Sequence, residues 1–289
     1  MRTKLFGLLL LGAMAAHAAT WYAKASSVNI NAAGTWVPTQ TGSCTGSGTA
    51  LVFGNQANGD VFNANGCTAL AVNVDPGGVS VQVTLTTDAT NGGGFTYATA
   101  ANITIHANIT ATKTPALVIT GSTGGGAILG NITGGSSTSA YGVEDEHTAI
   151  GLTLAGNITG GSGPTAYGYD CFSATGTLAI TGNATAGSFS TAHGLDIVGG
   201  SIEVALAGNC VGSNGFSAAG CSNASLGAAL IVTGNLLFGL SGSVAIGVTY
   251  TPGPSNYVLF PKDSSYTVGV VNTHAVQLFA RNGSSYPIQ

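Results

Sequence analysis

The chain has 289 residues, of which only 6% are charged, and its formal net charge is −4. No Lys or Arg occurs between Lys113 and Lys262, which excludes nucleic-acid binding, since that needs clustered cations against phosphates. Charge-driven binding to anionic lipid is excluded on the same ground. Disorder goes with high charge and low hydrophobicity; here 44% of residues are hydrophobic, so a folded chain with a surface of Thr, Ser, Asn and Gly is expected.

The N-terminus reads as an export signal over residues 1–19. Arg2 and Lys4 precede an apolar run over 5–15, and Ala16-His17-Ala18 offers a small-residue cleavage site. The expected destination is extracellular or the cell surface, with the periplasm as the alternative. No later stretch reaches the length of a membrane helix, so no transmembrane segment is expected in the mature chain. Removing the signal leaves Lys24, Lys113, Lys262 and Arg281 against ten carboxylates, a net charge of −6. Export permits disulfides. Of the five cysteines, Cys44 with Cys67 and Cys210 with Cys221 are the pairs nearest in sequence. Cys171 is left over, either buried or available to another chain. No CxxC or His-Cys cluster points to zinc.

Residues 20–50 are irregular and hold the only two Trp residues, Trp21 and Trp36. A solenoid needs an atypical terminal unit to cover its open end, so this segment is predicted to be an N-terminal cap. Strand patterning of period two follows at 69–74 and 79–85, with Pro76-Gly77-Gly78 as the turn between them, and continues at 102–112 and 116–120. No helical stripe follows residue 20.

From about 127 to 250 the sequence repeats. Gly-Asn pairs at 130–131, 156–157, 182–183, 208–209 and 234–235 recur at a constant interval, and Ala-Tyr-Gly at 140–142 returns at the same interval as Ala166-Tyr167-Gly168 and Ala192-His193-Gly194. A fixed period of this length marks a stacked solenoid. Three positions per coil look inward: Leu152/Leu154 with Leu178/Ile180 and Val204/Leu206; Ile132 with Ile158, Ala184 and Cys210; and Val143 with Tyr169, Leu195 and Cys221. The prediction is an all-β, right-handed parallel β-helix over 51–250, with about 26 residues per coil. Coils stack at about 4.8 Å. Residues 251–289, where the period fails, read as a C-terminal cap or small β module.

Asn131, Asn157, Asn183, Asn209 and Asn235 are predicted to form a structural ladder at one corner. Asn tolerates the left-handed conformation, and stacked amides can bond up and down the stack. Their Asn-x-Ser/Thr context reads as repeat consensus rather than as glycosylation sites. Thr133, Thr159 and Thr185 also stack, but the column then becomes Val211 and Leu237, so a regular ice-binding array is not sustained.

The same spacing puts Glu144, Asp170 and Asp196 on one line pointing outward, followed by Ser222, with Asp145, Glu146 and His147 crowding the first coil. Tyr141, Tyr167 and His193 form another line and are the candidate ligand-binding residues. Three roles fit the carboxylates. Paired carboxylates about 5 Å apart suit a retaining glycosidase and a wider pair an inverting one. Stacked carboxylates that repel each other could also hold Ca²⁺ through oxygen ligands. The third role is a solvated acidic strip. Tyr141 and Tyr167 would stack on sugar rings if they face out, although their spacing from Val143 places them inward.

The export signal, the "TWYAKAS…GTWVP" start, "GDVFNANGCTALAVNVD", "GGGFTYATAANITIHANITA" and the GNITGG coils resemble those of secreted and phage-encoded parallel β-helix proteins of Gram-negative bacteria. The ending "TYTPGPSNYVLFPKDSSYTVGV" is similar to modules closing some virion-associated proteins. The resemblance implies adhesins, passenger-like surface proteins or phage appendages. A self-contained autotransporter is not expected, since no room remains for an outer-membrane barrel, and a cleaved signal is unusual for a virion part. The expected function is therefore non-enzymatic adhesion or structural assembly at a cell or virion surface, with neutral glycans or a copy of the chain as partners. The alternative is a polysaccharide-active enzyme using Glu144, Asp170 and Asp196. No cofactor is expected other than Ca²⁺.

Overall fold

The computed structural model describes residues 18–213 except 79–80, 89–92, 99–101 and 190–191. Beyond residue 213 it describes only the strand residues 221–223, 229–232, 236–237, 245–246, 248–250, 257–260, 267–268, 277–280 and 285–287. Residues 1–17 of the predicted signal and Asn235 lie outside the described residues. Among those described there is no helix, and hence none long and apolar enough to cross a membrane.

The chain is a β-solenoid. At its N-terminal end, β1 (Thr20–Ala23) pairs antiparallel with β2 (Trp36–Val37), and β3 (Thr39–Gly42) forms a separate hairpin with β4 (Thr45–Ser47). On its other edge β1 lies parallel to β5 (Val61–Asn63), which lies parallel to β6 (Val83–Thr87). So β1 is the first rung of the stack, and β2 occupies the edge that would otherwise stand open. Trp36 closes the core there. It is buried, meets Phe62 edge-on at 4.9 Å, and donates its indole N–H to the Ile30 carbonyl at 2.6 Å. A disulfide joins Cys44 in the cap to Cys67 in the next coil.

The stack continues through β7 (Phe95–Tyr97) and β8 (Ile103–Ala111). Next come β9 (Leu117–Leu129), β10 (Ile132–Thr133), β11 (Val143–Ala155) and β12 (Ile158–Thr159). The long β9 and β11 each run along two sides of a coil. In later coils that path is split, into β13 (Tyr169–Cys171) with β14 (Thr175–Thr181), then, past the corner strand β15 (Ala184–Thr185), into β16 (Leu195–Ile197) with β17 (Ser201–Ala207). Corner strand β18 (Cys210–Val211) precedes β19 (Cys221–Asn223) and β20 (Ala229–Val232).

Pairing between coils is parallel and follows the interval of the Gly-Asn pairs: Leu117 with Val143, Val143 with Tyr169, Tyr169 with Leu195, and Leu195 with Cys221. Every inward residue named from the sequence whose side chain is described is buried. Each buried Leu or Ile contributes roughly 1.5–3 kcal/mol, and no single coil could bury them alone. Cys210 and Cys221, both inward, are joined across the core.

Outside the regular region the step shortens. Phe62 aligns with Leu85, Leu85 with Ile109, and Ile109 with Ile132, each a shorter interval than that from Ile132 to Ile158. The outward threonine column therefore begins earlier than the regular repeat suggests, with Thr86 and Thr110 preceding Thr133, Thr159 and Thr185 before it ends at Val211. Within 251–289, Tyr257–Phe260 still pairs in parallel with Gln277–Ala280, which then meets Ser285–Pro287 antiparallel.

Candidate functional site

The Gly-Asn corners are scaffold, and both residues have a specific reason. A Cβ on Gly156 would collide with the Gly130 carbonyl oxygen, and one on Gly182 with that of Gly156. Gly156 and Gly182 also sit at φ 151° and 137°, which disfavours any L side chain. Among the described residues the corner asparagines are not left-handed, contrary to the sequence expectation; Gly130, Gly156 and Gly182 before three of them take positive φ instead. The bonds that link Asn108, Asn131, Asn157, Asn183 and Asn209 run from side chain to backbone. The side-chain oxygen of each Asn accepts the backbone N–H of the next: Asn108 from Asn131, Asn131 from Asn157, Asn157 from Asn183, and Asn183 from Asn209, at 2.9–3.0 Å. Asn108 is a rung that the regular spacing does not reveal.

The three carboxylates fall on one line as predicted: Val118, Glu144, Asp170, Asp196 and Ser222 are successive register partners. They do not lie open to solvent. Asp170 is 1% and Asp196 7% exposed, and Glu144 is half-buried. Strand alternation places them on the side away from the inward Val143 column, but Tyr141 and Tyr167 lie against Asp170, and Tyr167 lies beside Asp196. Tyr141, Tyr167 and His193 stack with centroids 5.6 and 5.0 Å apart, and Tyr141 meets Phe172 edge-on at 6.3 Å. The ring faces are thus turned to each other, and Tyr141 is only 5% exposed. The two tyrosine hydroxyls are pushed up to about 12 by burial and by the carboxylates beside them.

Asp170 is the extreme case. Burial, the neighbouring Asp196 and Glu144 push its carboxyl up to about 8. Neither oxygen accepts a hydrogen bond of ordinary geometry, although the Tyr141 hydroxyl lies close enough to offset part of the rise. A carboxylate in such a place is costly, so at neutral pH Asp170 is chiefly the neutral acid.

Asp145 faces the other way. It occupies the inward column of Ile119, Cys171 and Ile197 and is fully buried. There it accepts the Tyr169 hydroxyl at 2.6 Å. Burial, then Asp145, raises the Tyr169 hydroxyl well above its usual range. Cys171 is free and buried, and burial pushes its thiol up to about 11. A thiol at that value is not a nucleophile at neutral pH. Among the described residues no group of three or more His, Cys, Asp or Glu side chains is placed to hold a metal ion.

The open site lies at the N-terminal end of the carboxylate line; of its lining, sequence reasoning singled out Glu144 and Glu146 but none of the other residues. A cleft of about 580 Å³ is floored by outward residues of β7, β9 and β11, with Thr96, Val118 and Glu144 in one register and Thr120 beside Glu146 in another. Its walls are Thr114-Pro115 and the turn Ser137, Thr138 and Ser139. Short side chains below Glu144 leave the space that carboxylates and rings fill in the next coils. Burial and then Glu146 raise the Glu144 carboxyl above its ordinary range. Thr114 is 3% exposed and its hydroxyl has no partner, a state that costs about 1–3 kcal/mol. The one sequence signal for the cleft is the break in the carboxylate line at Val118, with hydroxyl residues on both sides of it.

No family model, curated protein or solved structure matches the chain.

Proposed function

We propose that the protein is exported and acts without catalysis at a cell or virion surface, by adhesion or structural assembly, with neutral surface glycans or copies of itself as partners. The observation that carries this reading is the shielding of the carboxylate row. Asp170 and Asp196 lie buried beside stacked rings, where a polymeric substrate has no access. The signal-like N-terminus supports export, and the near absence of charge supports contact with neutral partners. The test is retention on immobilised neutral polysaccharides together with release of reducing ends. The wild-type protein and Asp170→Asn are both expected to bind without turnover.

One observation favours a second reading, a glycoside hydrolase. Asp170 stays protonated near neutral pH, as a general acid must, and its register partners on either side stand about 5 Å away, the spacing of a retaining pair. Turnover that Asp170→Asn abolishes would establish that reading in place of the first. For Ca²⁺ at Glu144, Asp170 and Asp196 the measurement is thermal melting with and without EDTA. An unchanged melting temperature is expected, and a fall on chelation would place the ion there.

A further inference from the structure

We infer that the cleft between β7, β9, β11 and the 137–139 turn binds a neutral glycan, with Glu144 and Thr114 as its central contacts. This rests on the adhesive reading above and gives it a location that neither the repeat nor the Tyr141–Tyr167–His193 stack supplies. The volume of about 580 Å³ falls in the range of small-molecule sites, roughly 300–1,000 Å³, which suits one or two sugar rings of a longer chain.

The lining selects the ligand class. Glu144 and Glu146 only accept hydrogen bonds when ionised, so they call for a ligand rich in donors. The hydroxyls of Thr96, Thr120, Ser137 and Ser139 both give and take, as sugar hydroxyls do. Val118 and Pro115 offer apolar surface to a ring C–H face. Among the described residues lining the cleft none is a cation, so uronates, sulfated chains and phosphates would meet two carboxylates unbalanced by that lining. A cationic ligand would be matched at the glutamate end alone, leaving the hydroxyl wall without a counterpart.

Thr114 is the independent sign of a built site. It lines the cleft, and its buried hydroxyl has no protein partner. A ligand hydroxyl seated against this wall would supply the partner that the Thr114 hydroxyl lacks. The residue therefore carries a polar atom that the fold does not use, in the wall of the open cleft beside the carboxylate line.

The experiment is a binding screen of the full chain against neutral, uronate-bearing and amine-bearing oligosaccharides. Thr114→Val, Thr96→Val, Glu144→Gln and Glu144→Ala are compared with wild type, and Glu203→Gln serves as a control for the exposed Glu203. Neutral chains are expected to bind. Thr114→Val and Glu144→Ala should each weaken that binding at least tenfold, and Glu144→Gln, which keeps an acceptor, less. Thr114→Val should melt no lower than wild type, since it removes an unsatisfied hydroxyl, so its loss of affinity cannot be a folding defect. Neutral binding unaffected by Thr114→Val, Thr96→Val and Glu144→Ala would overturn the cleft while leaving the adhesive reading in place. Binding of no glycan at all would overturn the cleft and also glycans as the partner in the adhesive reading, leaving copies of the chain. Retention of amine-bearing chains alone, lost in Glu144→Gln, would overturn the ligand class.

Discussion

Asp170 and Gly156 show how much one position can carry in a stacked fold. The folded-state carboxyl of Asp170 titrates near 8 against 3.8 for the ordinary group. A carboxyl raised in this way stabilises nothing when ionised. Stability is fully present below about pH 4 and is lost progressively as pH rises toward about 8. The loss is on the order of 5 kcal/mol at about 1.4 kcal/mol per pH unit. Asp170→Asn should therefore match wild type in thermal melting at pH 4 and exceed it at pH 8; equal melting at both would show that Asp170 is hydrated or paired in solution. Gly156→Ala is expected to cost about 2 kcal/mol or more, because the new Cβ meets the Gly130 carbonyl in a conformation that already disfavours it. Denaturant unfolding measures this. Alternation in the sequence placed Asp170 on the outward side in line with Glu144 and Asp196, and register shows the line, but its burial was not legible. Tyr141 and Tyr167 lie against Asp170, on turns where the repeat fixes the spacing of the rings but not their direction. Asp145 was unreadable for the opposite reason, since nothing in a sequence marks an inward carboxylate whose partner, Tyr169, lies one coil away.

At the level of the element, the corner strands from Asn108 to Asn209 are linked by a side-chain-to-backbone ladder. Asn157→Ala removes the acceptor of the Asn183 N–H and should cost about 1 kcal/mol. Asn157→Asp keeps an acceptor oxygen and should cost only a few tenths of that. A larger loss for Asp than for Ala in chemical denaturation would contradict the ladder as described. The disulfide between Cys210 and Cys221 crosses the core one coil beyond the buried pair Ala184 and Leu195. Closing a loop of this size contributes up to about 3 kcal/mol, so Cys210→Ala with Cys221→Ala should lower the melting temperature by several degrees. These elements were legible where the step is constant. They were hidden where it contracts, which is why Asn108 and Thr110 escaped the count although they continue the same columns.

Across the whole molecule, function and repetition separate. The coils that repeat most faithfully carry the buried row and the stacked rings. The open cleft lies where the repeat begins, between strands whose step from Phe95 to Leu117 is shorter than the one from Leu117 to Val143. A change of step alters how neighbouring turns overlap, and the cleft forms between them. The fold could be read from the constant period because each coil obeys the same stacking rule. The cleft could not, because it depends on a departure from that rule and on a Thr114 hydroxyl whose lack of a partner exists only in three dimensions.

The most direct test removes one whole coil. Deleting residues 157–182 joins Gly156 to Asn183, keeps the register of every inward column, takes out Asp170 and Tyr167, and leaves every residue lining the cleft. The shortened chain is predicted to keep its β-sheet circular dichroism, melt cooperatively, and bind neutral glycans with unchanged affinity. A chain that fails to fold would contradict the segment from one Gly-Asn corner to the next as the unit of the stack. A chain that folds but no longer binds would contradict the cleft.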